Sequence, residues 1–102
     1  MEDDEKKVMR VRLPNEKDGE MFGLVISLLG AGRLLVSCED GNERVCRIPG
    51  KMKRFIWVRE SNYVIVKPWE IERDKKGDVI WRYNKFQEDW LKAKGHLKNI
   101  EL

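Results

Sequence analysis

The chain of 102 residues lacks the residue sets that most catalytic and metal-binding sites require. It has one histidine, His96, and two cysteines, neither of which belongs to a C-x-x-C pair. The ligands of a zinc site are therefore missing. None of the few serines lies in a G-x-S-x-G setting with a histidine nearby. We accordingly expect no cofactor and no metal, and a binding protein rather than an enzyme.

Long apolar segments are also missing. No run reaches 18 apolar residues, and the N-terminal stretch MEDDEKK has acidic residues where a signal peptide has basic ones. These two absences predict a cytoplasmic protein with no membrane partner. Because that compartment is reducing, Cys38 and Cys46 are expected to be buried thiols, although they lie on adjacent predicted strands.

Charge is abundant but unevenly placed. Charged residues make up 38% of the chain, while the formal net charge is only +3. Acidic residues crowd positions 2–5, whereas the segment from Arg44 to Arg59 contains six basic residues and no acidic one. Such a segment favours an anionic partner. The predicted RNA contacts are Arg33, Arg44, Arg47, Lys51, Lys53, Arg54, Trp57 and Arg59.

Five strand-like runs at short intervals predict a small barrel. They cover residues 20–29, 33–39, 43–48, 63–67 and 79–83. Gly30-Ala31-Gly32 and Asp40-Gly41 are typical hairpin turns, and a short helical turn is expected between the third and fourth strands. With basic residues on one side, the pattern indicates an all-β, five-stranded OB-fold barrel.

A helix is predicted after the last strand. Asn84 fits an N-cap, Phe86, Trp90 and Leu91 fall at helical spacing, and Gly95 is placed to end the helix. A helix with one apolar face needs a partner surface, which we expect to be the outside of the barrel. The chain is thus divided into a mobile charged tail (1–18), an OB-fold RNA-binding domain (19–84), and a C-terminal helix with a short tail (85–102) packed on or beside the barrel.

The stretch GKMKRFIWVRE, Gly50 to Glu60, combines cations with aromatic residues. Clustered Lys and Arg gain affinity for phosphates by releasing counterions. Trp57 provides a stacking face for a base if its side chain points outward, and it is a core residue if the side chain points inward. The sequence leaves both orientations open. Met52 is expected to anchor the turn to the barrel.

The run from Gly30 to Val58, GAGRLLVSCEDGNERVCRIPGKMKRFIWV, resembles the archaeal and eukaryotic translation initiation factor 1A family. The family has a similar G-x-G-R-L, then C-x-D-G, then a basic G-K-[LM]-[KR]-[KR] segment before a V/I-W. The resemblance continues through residues 62–66 and 79–84, and it spans positions 20–97. GKMKR also looks like the corresponding loop of the bacterial initiation factor one.

This resemblance implies an OB-fold protein that occupies the aminoacyl site of the small ribosomal subunit. It implies contact with ribosomal RNA, exclusion of elongator tRNA, and placement of initiator tRNA together with other initiation factors. The matching RNA-facing positions are Lys51, Lys53, Arg54 and Trp57. Eukaryotic members begin with a long basic tail and end with a long acidic one, whereas this chain opens with acidic residues and has a short end. The short form fits an archaeal member, and we expect a monomer. The resemblance also suggests contact between the last residues, Ile100-Glu101-Leu102, and an initiation GTPase.

Two other functions fit the same residues. A general single-stranded RNA-binding protein or RNA chaperone of the OB type would prefer free, unstructured RNA to small subunits. A protein-interaction domain would instead use the basic residues to bind an acidic protein, and would not bind ribosomal RNA at low salt. An enzyme is the least supported function.

Overall fold

A computed structural model describes residues 11–50 and 58–100, which form five strands. Buried and less buried side chains alternate along β2 and β3, whereas β1 and β4 each have four consecutive buried residues. The strands close into a barrel in the order β1-β2-β3-β5-β4, followed by one helix. The all-β barrel and the C-terminal helix are as the sequence predicts. The elements are β1 (Met21–Gly30), β2 (Arg33–Cys38), β3 (Glu43–Arg47), β4 (Tyr63–Pro68), β5 (Lys76–Arg82) and α1 (Lys85–Ala93).

The barrel closes through one parallel pair. β3 and β5 are parallel, and all other neighbouring strands are antiparallel. The helical turn predicted between β3 and β4 falls on residues 51–57, outside the described residues. The β1–β2 turn confirms the predicted hairpin, because Gly30, Ala31 and Gly32 all have positive φ (82°, 54° and 73°). Glycine adopts positive φ without the steric penalty of a Cβ, so Gly30 and Gly32 allow the tight turn on both sides of Ala31.

One strand boundary was predicted wrongly. The fifth strand was expected to begin at residue 79, yet β5 already begins at Lys76 and pairs there with β3. Gly77 is needed for close packing, because a Cβ there would lie 2.9 Å from the Val66 side chain. Position 77 therefore requires glycine because β5 packs closely against the Val66 side chain inside the barrel.

The core has two parts, and β1 contributes to both. Val25 faces the barrel interior, whereas Phe22 and Leu24 face outward beneath the C-terminal region. β1 is therefore apolar on both faces. The interior cluster is Val25, Leu34, Val36, Cys38, Cys46, Val64, Val66 and Val79. The outer cluster is Phe22, Leu24, Tyr63, Ile65, Tyr83, Leu91, Leu97 and Ile100.

Helix α1 begins as predicted and packs on the outer cluster. The Asn84 side chain accepts a hydrogen bond from the Gln87 backbone, and the Gln87 side chain accepts one from the Asn84 backbone. Leu91 is fully buried in the outer cluster. Phe86 was expected on the packed face but is 57% exposed. The reason is its place in the first turn, on the side away from Leu91.

Both ends of the described chain also lie on the barrel. Val11 packs against the outer cluster, and the Tyr83 hydroxyl donates a hydrogen bond to the Arg12 carbonyl. A 3-10 helix at Glu16–Asp18 is capped by Asn15. Val11 and Arg12 belong to the predicted tail (1–18). The part of the chain that packs on the barrel therefore extends into that tail. In the described ranges, no helix is long and apolar enough to cross a membrane.

The two cysteines are free thiols inside the barrel. Cys46 lies opposite Leu34 in the β2–β3 ladder, so Cys38 is four residues further along β2. Burial raises the pKa of both thiols, that of Cys46 to about 12. They therefore stay protonated at neutral pH and act as small apolar core residues, as the sequence suggested.

Candidate nucleic-acid interface

The structure divides the predicted RNA-contact residues into three groups. Arg33, Arg47 and Arg59 are exposed, and Arg44 is buried. The remaining four, Lys51, Lys53, Arg54 and Trp57, lie outside the described residues. The orientation of Trp57 therefore stays open.

Arg33 and Arg47 form the best-defined part of the surface. They are direct partners in the antiparallel ladder between β2 and β3. Both are exposed while the adjacent Leu34 and Cys46 are buried, so the two arginines share the outer face of the sheet. Like charges directly opposite each other cost stability. An anion that binds both arginines would relieve this repulsion.

The ladder continues from this pair across two more strands. Arg47 is the partner of Asp78 on β5, and Asp78 is the partner of Lys67 on β4. We call these four residues the charged row: Arg33, Arg47, Asp78 and Lys67. Lys67 was not among the predicted contacts, because only the pairing of β3 with β5 and of β5 with β4 brings it into line with Arg33.

Arg59 lies just before β4, in a turn with a well-fixed backbone. Its N–H donates to the Asn62 side chain at 2.8 Å, and the Ser61 N–H donates to the Val25 carbonyl of β1, also at 2.8 Å. These bonds hold the turn against β1 near exposed Ile26. Arg59 thus projects from a fixed turn at the end of the segment that begins after β3.

The prediction that Arg44 belongs to the exposed basic surface is wrong. Its residue exposure is 1%, because the alternation along β3 turns positions 44 and 46 toward the interior. Its guanidinium donates to both carboxylate oxygens of Asp40, at 2.8 and 2.9 Å. Its Nε donates to the Arg73 carbonyl at 2.7 Å. Arg44 therefore links the β2–β3 turn to the β4–β5 loop and has no free face for a phosphate.

This ion pair makes acid stability depend on Asp40. Hydrogen bonding from Arg44 lowers the pKa of Asp40 below its usual 3.8 and raises that of Arg44. A depressed carboxyl pKa contributes stability that is fully present above the unfolded-state value and is lost as pH falls through the folded-state value. We expect the wild-type free energy of unfolding to drop more steeply below pH 4 than that of Asp40→Asn. Urea titrations between pH 2 and 6 measure this, and parallel curves would contradict it.

The described residues offer no evident metal site. Within 11–50 and 58–100, no three His, Cys, Asp or Glu side chains are grouped so that they could hold a metal ion. The site is a surface of exposed cations on a closed barrel, and such a surface suits binding of an extended polyanion.

Comparison with known proteins shows the family of the chain. Residues 8–101 match the family described as Translation initiation factor 1A / IF-1. The chain is 56% identical over 94 residues to Translation initiation factor 1A of Archaeoglobus fulgidus, covering 92% of this chain and 96% of that protein. It is 51% identical over 98 residues to the factor of Picrophilus torridus, covering 96% and 90%.

Solved structures show the same barrel. The solution structure of translation initiation factor one from the Wolbachia endosymbiont of Brugia malayi superposes with a TM-score of 0.52 at 31% identity, covering 65% of this chain and 78% of that one. YjeQ from Thermotoga maritima gives a TM-score of 0.53 at 18% identity, covering 64% and 23%, and shows the fold alone. The barrel is thus an OB-fold, and the chain belongs to the Translation initiation factor 1A / IF-1 family.

Proposed function

We propose that the protein is a translation initiation factor that binds the aminoacyl site of the small ribosomal subunit. It contacts ribosomal RNA there and promotes placement of initiator tRNA and assembly of the initiation complex. The observation that carries this proposal is the family match over residues 8–101. The exposed Arg33–Arg47 pair supports it, since two facing cations on a rigid sheet suit adjacent phosphates.

The proposed mechanism is binding without chemistry. Exposed arginines on β2, on β3 and before β4 neutralise phosphates and release counterions, and the barrel fills the site by shape. A bound factor would keep elongator tRNA out by occupying its place. The proposed contacts are Arg33, Arg47 and Arg59, with Lys51, Lys53, Arg54 and Trp57 in the segment between β3 and β4.

The proposed partners are ribosomal RNA and other initiation factors. The proposed setting is a monomer in the cytoplasm of an archaeon.

Fewer of the last three residues are available for contact with an initiation GTPase than the sequence suggested. Ile100 is only 6% exposed in the outer cluster, and its carbonyl lies 3.5 Å from the Tyr63 hydroxyl. Such a contact would have to use residues 101–102, or Ile100 would have to leave the cluster.

A competition experiment tests the proposal. Labelled protein is titrated with archaeal small subunits, with and without elongator tRNA in the aminoacyl site, and the bound complex is footprinted with a chemical probe of RNA. We expect tRNA to displace the protein and the protein to protect the decoding region.

Two other outcomes would replace the proposal. Tighter binding to free unstructured RNA than to subunits would favour a general RNA-binding protein. An absence of binding to ribosomal RNA even at low salt would favour a protein-interaction domain.

A further inference from the structure

A groove lies on the outer surface of β4 and β5, at the end of the charged row. Two adjoining cavities of about 500 and 520 Å³ share Lys67 and Asp78 in their walls. Trp69 and Ile71 line the first cavity, and Ile71 is 79% exposed. The second also includes Pro49, which lies two residues after the end of β3. The groove therefore adjoins the charged row through Lys67 and Asp78.

The charged row connects this groove to Arg33 and Arg47. The four residues occupy successive strands, and neighbouring strands are about 4.8 Å apart, so the row spans roughly 14 Å along the barrel. Three of its members are cations and one is a carboxylate. A polyanion that reaches Arg47 from Arg33 meets Lys67 as the next cation of the row, one strand beyond Asp78.

Asp78 offsets only one of the three positive charges of the charged row. Its Oδ1 accepts a hydrogen bond from the Trp69 indole N–H at 3.0 Å, and it lies between Arg47 and Lys67 in the ladder. Lys67 is exposed and forms no ion pair in the part of the chain that the structure describes. The bond from Trp69 to Asp78 also fixes the indole ring at the groove, next to this free cation.

We propose that this groove is an additional RNA subsite, in which Lys67 neutralises a backbone phosphate and a nucleobase stacks on Trp69. Any base provides a π-face for an aromatic platform. Trp81, at the other end of the groove, is less suitable because the Arg12 guanidinium already lies 5.4 Å from its ring centroid. The inference rests on the proposed function, since RNA on Arg33 and Arg47 is what the row would extend.

The test compares four variants for binding to archaeal small subunits across a range of salt concentrations. Lys67→Gln removes the cation, Trp69→Leu removes the aromatic face, and Trp69→Phe keeps that face but loses the bond to Asp78. Lys17→Gln, in the 3-10 helix, makes the same charge change at an exposed position outside the groove. Melting temperatures show that each variant is folded.

We expect Lys67→Gln to weaken binding about five- to tenfold near 0.1 M salt and to reduce the slope of log K against log salt by about 0.7 to 0.9. Trp69→Leu should weaken binding about five- to hundredfold with the slope unchanged. Trp69→Phe should retain most of the affinity, even if its melting temperature falls. Lys17→Gln should match wild type.

Each contrary result has a distinct meaning. If wild type binds and Lys67→Gln behaves like Lys17→Gln, the subsite is overturned and the proposed function stands. If Lys67→Gln weakens binding without changing the slope, the groove meets a ribosomal protein and the RNA subsite is wrong. If wild type does not bind subunits at all, both proposals fail. If Trp69→Leu does not fold, the affinities of Lys67→Gln and Trp69→Phe for small subunits still test the subsite.

Discussion

Replacing Asp40 with Asn is expected to destabilise the barrel more than replacing Arg44 with Met, although each change removes the same ion pair. Arg44 is 1% exposed, whereas the Asp40 side chain is 33% exposed. In Asp40→Asn the buried guanidinium keeps its charge without an anion, which costs about 3 kcal/mol. In Arg44→Met the charge is gone and Asp40 remains partly hydrated, so the cost is about 1–2 kcal/mol.

The double variant separates this effect from local damage. The amide oxygen of Asn at position 40 can still accept the backbone N–H of Asn42, the bond that holds the turn, while the second bond to the Asn42 side chain is lost. Once Arg44 is Met, Asp40→Asn should cost little, so the coupling free energy should be close to the about 3 kcal/mol that Asp40→Asn costs alone. Urea unfolding followed by circular dichroism measures the free energy of unfolding of wild type, the two single variants and the double variant. An unchanged m-value checks that unfolding stays two-state.

An exposed ion pair on the helix is the matched control. The Lys85 Nζ lies 3.1 Å from the Asp89 Oδ1, four residues further along the helix, and the two side chains are 77% and 59% exposed. Breaking such a pair costs at most about 0.5 kcal/mol, so Asp89→Asn should leave the midpoint nearly unchanged. Additive effects of the Asp40 and Arg44 changes, or a larger loss in Arg44→Met than in Asp40→Asn, would mean that the pair does not anchor the barrel.

The Arg44 ion pair also shows where sequence reasoning reaches its limit. A run of cations from Arg44 to Arg59 indicates a surface, but the period-2 alternation with Cys46 places position 44 inside. That alternation is local, so the burial of Arg44 was within reach of the sequence. The partner carbonyl at Arg73 is 29 residues away and depends on how the β4–β5 loop folds back over the barrel. That contact cannot be derived from the sequence pattern.

The same distinction applies to the strands and to the charged row. The bounds of β1 to β4 followed from local turns and alternation, and they agree with the structure within a few residues. The start of β5 and the position of Lys67 depend on the parallel pairing of β3 with β5 and on the β4–β5 ladder. Pairing between strands distant in sequence is set by closure of the whole barrel, so local signals miss it.

Removing both arginines of the facing pair is expected to have the largest effect on RNA binding. Arg33→Gln together with Arg47→Gln should weaken binding to small subunits about ten- to hundredfold near 0.1 M salt, and should lower the salt slope by about 1.4 to 1.8. The same double change should leave the free energy of unfolding unchanged or raise it slightly, because two like charges in register no longer repel.

Opposite movements of affinity and stability distinguish this prediction from general damage. A fold defect would lower both quantities together, whereas loss of a phosphate-binding pair lowers affinity alone. The control is Lys17→Gln with Lys98→Gln, which removes the same charge from two exposed positions outside the charged row. If this control changes the salt slope as much as the arginine pair does, the attraction comes from net charge and not from the ladder position of Arg33 and Arg47. A difference of more than about one slope unit between the two double variants would assign the attraction to the facing pair itself.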